Sequence, residues 1–168
     1  MPHHSLHRSS WGELTTRELY AIVKLRTDVF FVEQKVDESE LDWRDAEAET
    51  VHFWLTDAGG GVDGEGQDAG EVVAYLRVLR DAQPEHLDAH RVIGRVVTHP
   101  AHRGQGLALA LLDAVIAEFG SESMLLHAQS YIVPLYQRVG FVSFGEEFEE
   151  AGIAHQSMFR PADAIGSR

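Results

Sequence analysis

Apolar positions along the chain fall into stretches of two different periods, and the switches between them outline the elements. After Thr15-Thr16-Arg17-Glu18, Leu19, Ile22, Val23, Arg26 and Phe30 recur at helical spacing. The four leading residues form a capping-box pattern, in which the Thr15 hydroxyl and the Glu18 carboxylate satisfy the unpaired N–H groups of a helix start. Arg26 falls on the apolar stripe, so it either meets a carboxylate, with Glu33 and Asp42 as candidates, or runs from the stripe edge to water. Residues 33–50 are acidic and aperiodic, and predict a short helix and a loop. Residues 51–55 read as a strand. Asp57 to Gly70 is glycine-rich and nearly free of apolar residues, hence a flexible loop without a functional role. Residues 72–79 read as the return strand of a long-looped hairpin.

Residues 91–98 predict a third strand, closed by Pro100, in which Gly94 signals a bulge or a close backbone approach. A helix follows from about Gly106 to Phe119, with Ala108, Leu111, Leu112, Val115 and Phe119 on one face and Gly120 as its terminator. Residues 124–128 predict a short buried strand, and residues 131–139 a helix that stops at Gly140. Residues 141–148 and 153–159 predict a closing hairpin, and 161–168 a loose tail. The order is helices, three strands, helix, strand, helix, two strands: a mixed α/β fold with one central sheet flanked by helices.

Length and composition narrow the function. A chain of 168 residues fits one domain, taken as 1–168. The net charge of −13 argues against a nucleic-acid partner, which needs clustered cations, and suits a cationic or amine substrate. With no cysteine there is no thiol nucleophile, thiolate metal site or disulfide. The opening MPHHSLHRSSWGEL lacks the apolar core of a signal peptide, and no apolar run suits a membrane span; a cytoplasmic location without a membrane partner is expected. His3, His4 and His7, and the i, i+4 pair His86 and His90, lack evident further ligands, so no metal is expected.

The chemistry concentrates in Val96-Val97-Thr98-His99-Pro100-Ala101-His102-Arg103-Gly104-Gln105-Gly106-Leu107-Ala108. A strand delivers the chain into an Arg/Gly loop and a helix begins at once, which places unpaired N–H groups and the positive helix end together. Gly104 and Gly106 let main-chain amides approach an anion, and Arg103 adds a fork for phosphate oxygens. A nucleotide P-loop would need Lys and Ser/Thr where Leu107 and Ala108 stand. A dinucleotide fingerprint starting at Gly104 would need a small residue at Leu109, and a nicotinamide oxidoreductase is the weaker reading.

Arg103-x-x-Gly106-x-Ala108 after a strand resembles the acyl-CoA loop of the GNAT superfamily of N-acetyltransferases. Leu135-Tyr136-Gln137-Arg138-Val139-Gly140-Phe141 resembles its second hallmark, with Leu135 where Phe is common. Leu19-Tyr20 to Leu25-Arg26, Val29-Phe30-Phe31-Val32-Glu33-Gln34, Asp42, Ala128-Gln129 and Glu149-Glu150-Ala151-Gly152-Ile153-Ala154-His155 resemble its ElaA-like branch, with Ala151 and Ala154 as departures.

The resemblance implies a sheet splayed between the strand ending at Thr98 and the strand at 124–128. It implies acetyl-CoA as co-substrate, held by Val96, Val97, Thr98, Arg103, Gly104, Gln105, Gly106, Leu107, Ala108, Leu109 and Gln129. It further implies direct transfer to an amine of a small molecule or peptide, with Tyr136 contacting the cofactor and acting as general acid. The N-terminal helices commonly wall the acceptor site in this superfamily, which brings in Arg26 and Glu33, and His155 joins them as a substrate-binding candidate. The base is open among Glu33, Asp42, His52, His127 and His155, with Glu33 also a catalytic candidate. Dimers are common in the superfamily, so a homodimer is an open expectation. A non-catalytic acyl-CoA sensor on the same fold is the alternative function.

Overall fold

The computed structural model describes residues 3–58 and 70–164. Most of the glycine-rich stretch expected as a loop lies outside them. Among the described residues seven strands form one sheet: β1 (His4–Ser10), β2 (Val51–Asp57), β3 (Val72–Arg80), β4 (Arg91–Thr98), β5 (Met124–Gln129), β6 (Val142–Glu150) and β7 (Ile153–Arg160), in the order β1-β2-β3-β4-β5-β7-β6. All neighbours are antiparallel except β4 and β5. The sheet is accompanied by the α-helices α1 (Thr16–Arg26), α2 (Leu107–Phe119) and α3 (Val133–Gln137). The mixed α/β reading and the element order hold, with one addition and one shortening.

The addition is β1. Its sequence, HSLHRSS, has no apolar alternation because it is an edge strand whose side chains stay partly exposed. His7 nevertheless stacks on Trp54, with ring centroids 5.2 Å apart, and bonds the Thr56 hydroxyl at 2.9 Å. The shortening is the helix expected over 131–139: Ser130–Ile132 is a 3₁₀ turn and only Val133–Gln137 is α-helical. Of the tail expected to be loose, the described residues 161–164 are tied to the fold, and the rest lies outside the described residues. Asp163 N–H donates to Gly120 O at 2.7 Å, and Arg160 Nη2 reaches the Asp163 carboxylate at 2.7 Å. No helix forms at 86–90, where His86 stacks on Phe144 and His90 Nδ1 meets Asp81 O at 2.7 Å.

Each face of the sheet carries its own core. On one, α2 sets Leu107, Leu111, Leu112, Val115 and Phe119 against Phe53, Leu76, Ile93, Met124 and Leu126. Burying each such side chain contributes about 1.5–3 kcal/mol, so the start of α2 is firmly anchored. On the other face, α1 packs Ile22 and Leu25 against Trp54, Tyr75 and Val97. The capping box forms as expected, with Glu18 N–H donating to Thr15 Oγ1 at 3.2 Å and Thr15 N–H to Glu18 Oε2 at 2.8 Å. From Thr27 to Glu33 the helix widens into a π-helical stretch, a form that concentrates at functional sites.

Candidate acyl-CoA site

β4 and β5 start side by side and then part. They pair in parallel only at Arg91↔Met124 and Val92↔Leu125. Beyond Val92, β4 keeps its bonds to β3 and β5 keeps its bonds to β7, so the edges that face each other across the gap are unpaired. The bulge anticipated from Gly94 falls on its neighbour: opposite Tyr75/Arg77 the register slips, and Arg95 takes φ +54°. A bulge bends its strand, which helps to turn β4 away from β5.

The Arg/Gly loop sits at the open end of this gap. Gly104 and Gly106 have φ of +75° and +76°, and a Cβ at either would meet nothing within 4 Å. Glycine is therefore demanded by backbone conformation, and the space above it is open. The first main-chain bond of α2 is donated by Ala110 to Gly106 O at 3.0 Å, and no side chain caps the helix. The amides of Leu107, Ala108 and Leu109 thus have no intrahelical acceptor, and the first turn carries no acidic side chain. This donor set fits an anionic diphosphate.

Residues from three elements meet across the mouth. Arg103 Nη2 lies 2.8 Å from Glu33 Oε1, and Arg103 Nε points to Thr98 O at 3.4 Å. Gln129 Nε2 at the end of β5 donates to Gln34 Oε1 at 3.2 Å. The end of the π-helical stretch therefore touches both sides of the gap. Glu33 and Arg103, expected in separate roles, are partners, and both stay substantially exposed.

The Tyr136 ring is buried in the α2-side core and packs edge-on to Phe141, with centroids 6.2 Å apart. Among the described residues its hydroxyl has no hydrogen-bond partner, yet the oxygen is not sealed from solvent. Burial, with a smaller contribution from Tyr131, pushes its pKa above the ordinary phenol value.

Arg26 corrects the expectation attached to it. It is sealed, and its partners are Glu40 and Asp45 in place of Glu33 and Asp42: Nε lies 2.5 Å from Glu40 Oε1, and Nη1 2.8 Å from Asp45 Oδ1. With Nη2 held by Glu40 O and Asp45 Oδ2, the guanidinium has no free edge for an acceptor. Asp42 instead pairs with Arg77, at 2.8 and 2.6 Å, and that hydrogen bonding holds its carboxyl well below the usual range. His155 lies across from Gln129 on β7, with Nδ1 2.7 Å from Ile153 O and its ring stacked on Phe148. Among the described residues no group of three or more His, Asp or Glu side chains is arranged to hold a metal, and no helix is long and apolar enough to cross a membrane.

A parallel strand pair that opens beside an uncapped, glycine-led helix start defines an acyl-CoA-dependent N-acyltransferase. The sequence profile of the acetyltransferase (GNAT) domain matches residues 66–160, and the chain belongs to that family. Within it the relatives are of the ElaA-like branch. Protein ElaA of Escherichia coli is 32% identical over 164 residues, covering 92% of this chain and 93% of that protein. The UPF0039 protein Rv2851c of Mycobacterium tuberculosis is 42% identical over 157 residues, covering 92% of each. The crystal structure of an acyl-CoA N-acyltransferase from Pseudomonas aeruginosa superposes with a TM-score of 0.76 at 34% identity, covering 94% of this chain and 99% of that one. The crystal structure of E. coli ElaA gives the same TM-score at 28% identity, again covering 94% and 99%.

Proposed function

We propose that this protein transfers an acetyl group from acetyl-CoA directly to a primary amine of a small molecule or peptide. The observation that carries the reading is the parting of β4 and β5 after Val92, with the unpartnered amides of Leu107 to Leu109 at its mouth. Acyl-CoA supplies an activated thioester carbonyl. Main-chain groups of Val96, Val97 and Thr98, on the open edge of β4, receive the pantetheine arm as an added strand. Amides from Arg103, Gly104, Gln105 and Gly106 through Leu107, Ala108 and Leu109 hold the diphosphate, and Gln129 contacts the arm from β5. Strand amides near Val97 polarise the carbonyl. Tyr136 presents a hydroxyl that no other side chain among the described residues claims, and gives its proton to the departing thiolate. Because the chain has no cysteine, no thiol carries the acetyl group in between.

The acceptor enters on the α1 face, with Glu33 beside the gap and His155 one strand further out on β7. The whole-protein charge of −13 favours a cationic amine there. The test is an amine panel with acetyl-CoA, reading free thiol release. Release that requires the amine is the expected result. Tight acetyl-CoA binding with no transfer to any amine would instead make the protein a sensor.

Gly106→Val probes the cradle. A β-branched residue at φ +76° costs at least about 1–2 kcal/mol, and its side chain would project into the open space above the loop. Acyl-CoA affinity should fall about tenfold or more, read by titration calorimetry, since about 1.4 kcal/mol is a factor of ten. Unchanged affinity would remove this loop from the binding site.

A further inference from the structure

An ammonium has no lone pair with which to attack a carbonyl, so transfer to an amine needs a proton acceptor. The structure sorts the five candidates. His52 is sealed, with Nδ1 2.7 Å from the Tyr75 hydroxyl and Nε2 3.0 Å from Asp45 O, and burial lowers its pKa. Asp42 is taken by Arg77 and Glu33 by Arg103. His155 is turned onto its own hairpin by the Ile153 carbonyl.

His127 is placed differently. It lies on β5, the strand that borders the gap, two positions before Gln129. Strand alternation from Leu125, which pairs with Val92, puts Leu125, His127 and Gln129 on the face that α1 covers. Its side chain retains 31% of its surface. Both ring nitrogens face an oxygen: Nδ1 lies 3.0 Å from Ser157 Oγ on β7, and Nε2 lies 3.0 Å from Glu85 Oε2, which arrives from the β3–β4 loop. Phe148 on β6 sets its edge against the ring at 5.6 Å, and His155 stacks behind Phe148. Two oxygens that can each accept an N–H make this surrounding complementary to a doubly protonated ring. That is the state a base reaches after taking its proton.

We propose that His127 is the proton acceptor for the incoming amine, with Ser157 fixing its tautomer and Glu85 serving as counter-ion; this rests on the transferase reading above. Nδ1–H donates to Ser157 Oγ and Nε2–H donates to Glu85 Oε2; once the Nε2 proton has left to water, the exposed Glu85 carboxylate turns to the incoming ammonium and Nε2 is the basic atom. The substrate ammonium approaches that carboxylate and its N–H bond breaks as Nε2–H forms. The positive charge moves to the imidazole ring, where Glu85 and Ser157 accept its two N–H groups. The amine keeps the electron pair and is free to attack the thioester carbonyl carbon.

The test uses the full chain, acetyl-CoA and an amine that the wild-type protein acetylates. The variants are His127→Ala, His127→Gln and Glu85→Gln. Activity in the His127 variants should fall about 10²-fold or more at neutral pH, with acyl-CoA affinity retained. Their kcat/KM profile should lose the limb that rises with pH in the wild type. Added imidazole should restore part of the rate of His127→Ala. Glu85→Gln should lower kcat/KM by about tenfold with acyl-CoA affinity retained, because the ammonium and the ring that takes its proton both lose their counter-ion. A His127→Ala protein that keeps wild-type rate and limb would overturn the proposal and leave the transferase reading standing. A loss that imidazole does not rescue, accompanied by lost acyl-CoA binding, would make His127 structural. Wild-type protein that binds acetyl-CoA but acetylates no amine would overturn both.

Discussion

Replacing Tyr136 by Phe should lower kcat for acetyl transfer by about 10²–10⁴-fold, the usual range for a positioned proton donor. The fold should be indifferent to the change. The ring stays in its core site against Phe141, and among the described residues the deleted hydroxyl has no hydrogen-bond partner to leave behind. Acyl-CoA affinity should shift by less than about tenfold, no more than the worth of one hydrogen bond. Burial holds the Tyr136 pKa above its ordinary value, so the phenol keeps its proton throughout the near-neutral range and remains a donor there. The variant's loss should therefore be flat with pH from about 6 to about 9. That profile separates it from loss of a base, which is steepest where the base titrates. Single-turnover thiol release and titration calorimetry on the two proteins measure the split. A variant with wild-type kcat would reduce Tyr136 to packing.

What could be read from the chain divides along physical lines. The loop from Arg103 to Leu109 was legible because its backbone conformations admit only certain residues: two positive-φ glycines ahead of an apolar helix leave a mark in any sequence. The hairpins, α1 and α2 were legible from periodicity and caps. The parting of β4 and β5 was not legible from periodicity at all, since both strands read as ordinary; it came through the family resemblance. β1 escaped because an edge strand needs no alternation. The partners of Arg26 escaped because Glu33 to Asp45 holds six acidic residues, of which Glu33 and Asp42 are the candidates named from sequence, and the choice depends on how that aperiodic segment lies on the sheet. Trp43 in a left-handed conformation helps to set that path, and a tryptophan at φ +66° leaves no compositional signal. The contact of Glu85 with His127 joins residues 42 apart in sequence, beyond the reach of any local pattern.

The same aperiodic segment yields the largest expected effect on stability. Asp45 stands between two sealed guanidinium groups, 2.8 Å from Arg26 Nη1 and 3.0 Å from Arg77 Nη1, with Glu40 a second carboxylate on Arg26 and Asp42 on Arg77. Burial alone would raise the Asp45 pKa, but hydrogen bonding to Arg26 and the charges of Arg26 and Arg77 outweigh it and hold the carboxyl below its usual range. Asp45→Ala removes the shared anion and leaves two buried cations short of a partner, which should cost about 3–5 kcal/mol. For a chain of this size that lowers Tm by roughly 6–20 °C. Asp45→Asn keeps the shape and one acceptor oxygen, so its loss should be smaller, and it adds a test of sign. Because the folded carboxyl titrates below the unfolded one, the unfolded chain binds more protons as pH falls. The contribution of Asp45 is thus complete above the ordinary carboxylate range and is lost as pH drops through the depressed folded value. Urea midpoints measured from about pH 6 down to about pH 3 should therefore fall more steeply in the wild type than in Asp45→Asn. Parallel slopes, or an Asp45→Ala protein within about 1 kcal/mol of wild type, would mean that Glu40 and Asp42 hold the two arginines without it. The segment 38–47 would then be fixed against β4 by something other than this shared charge.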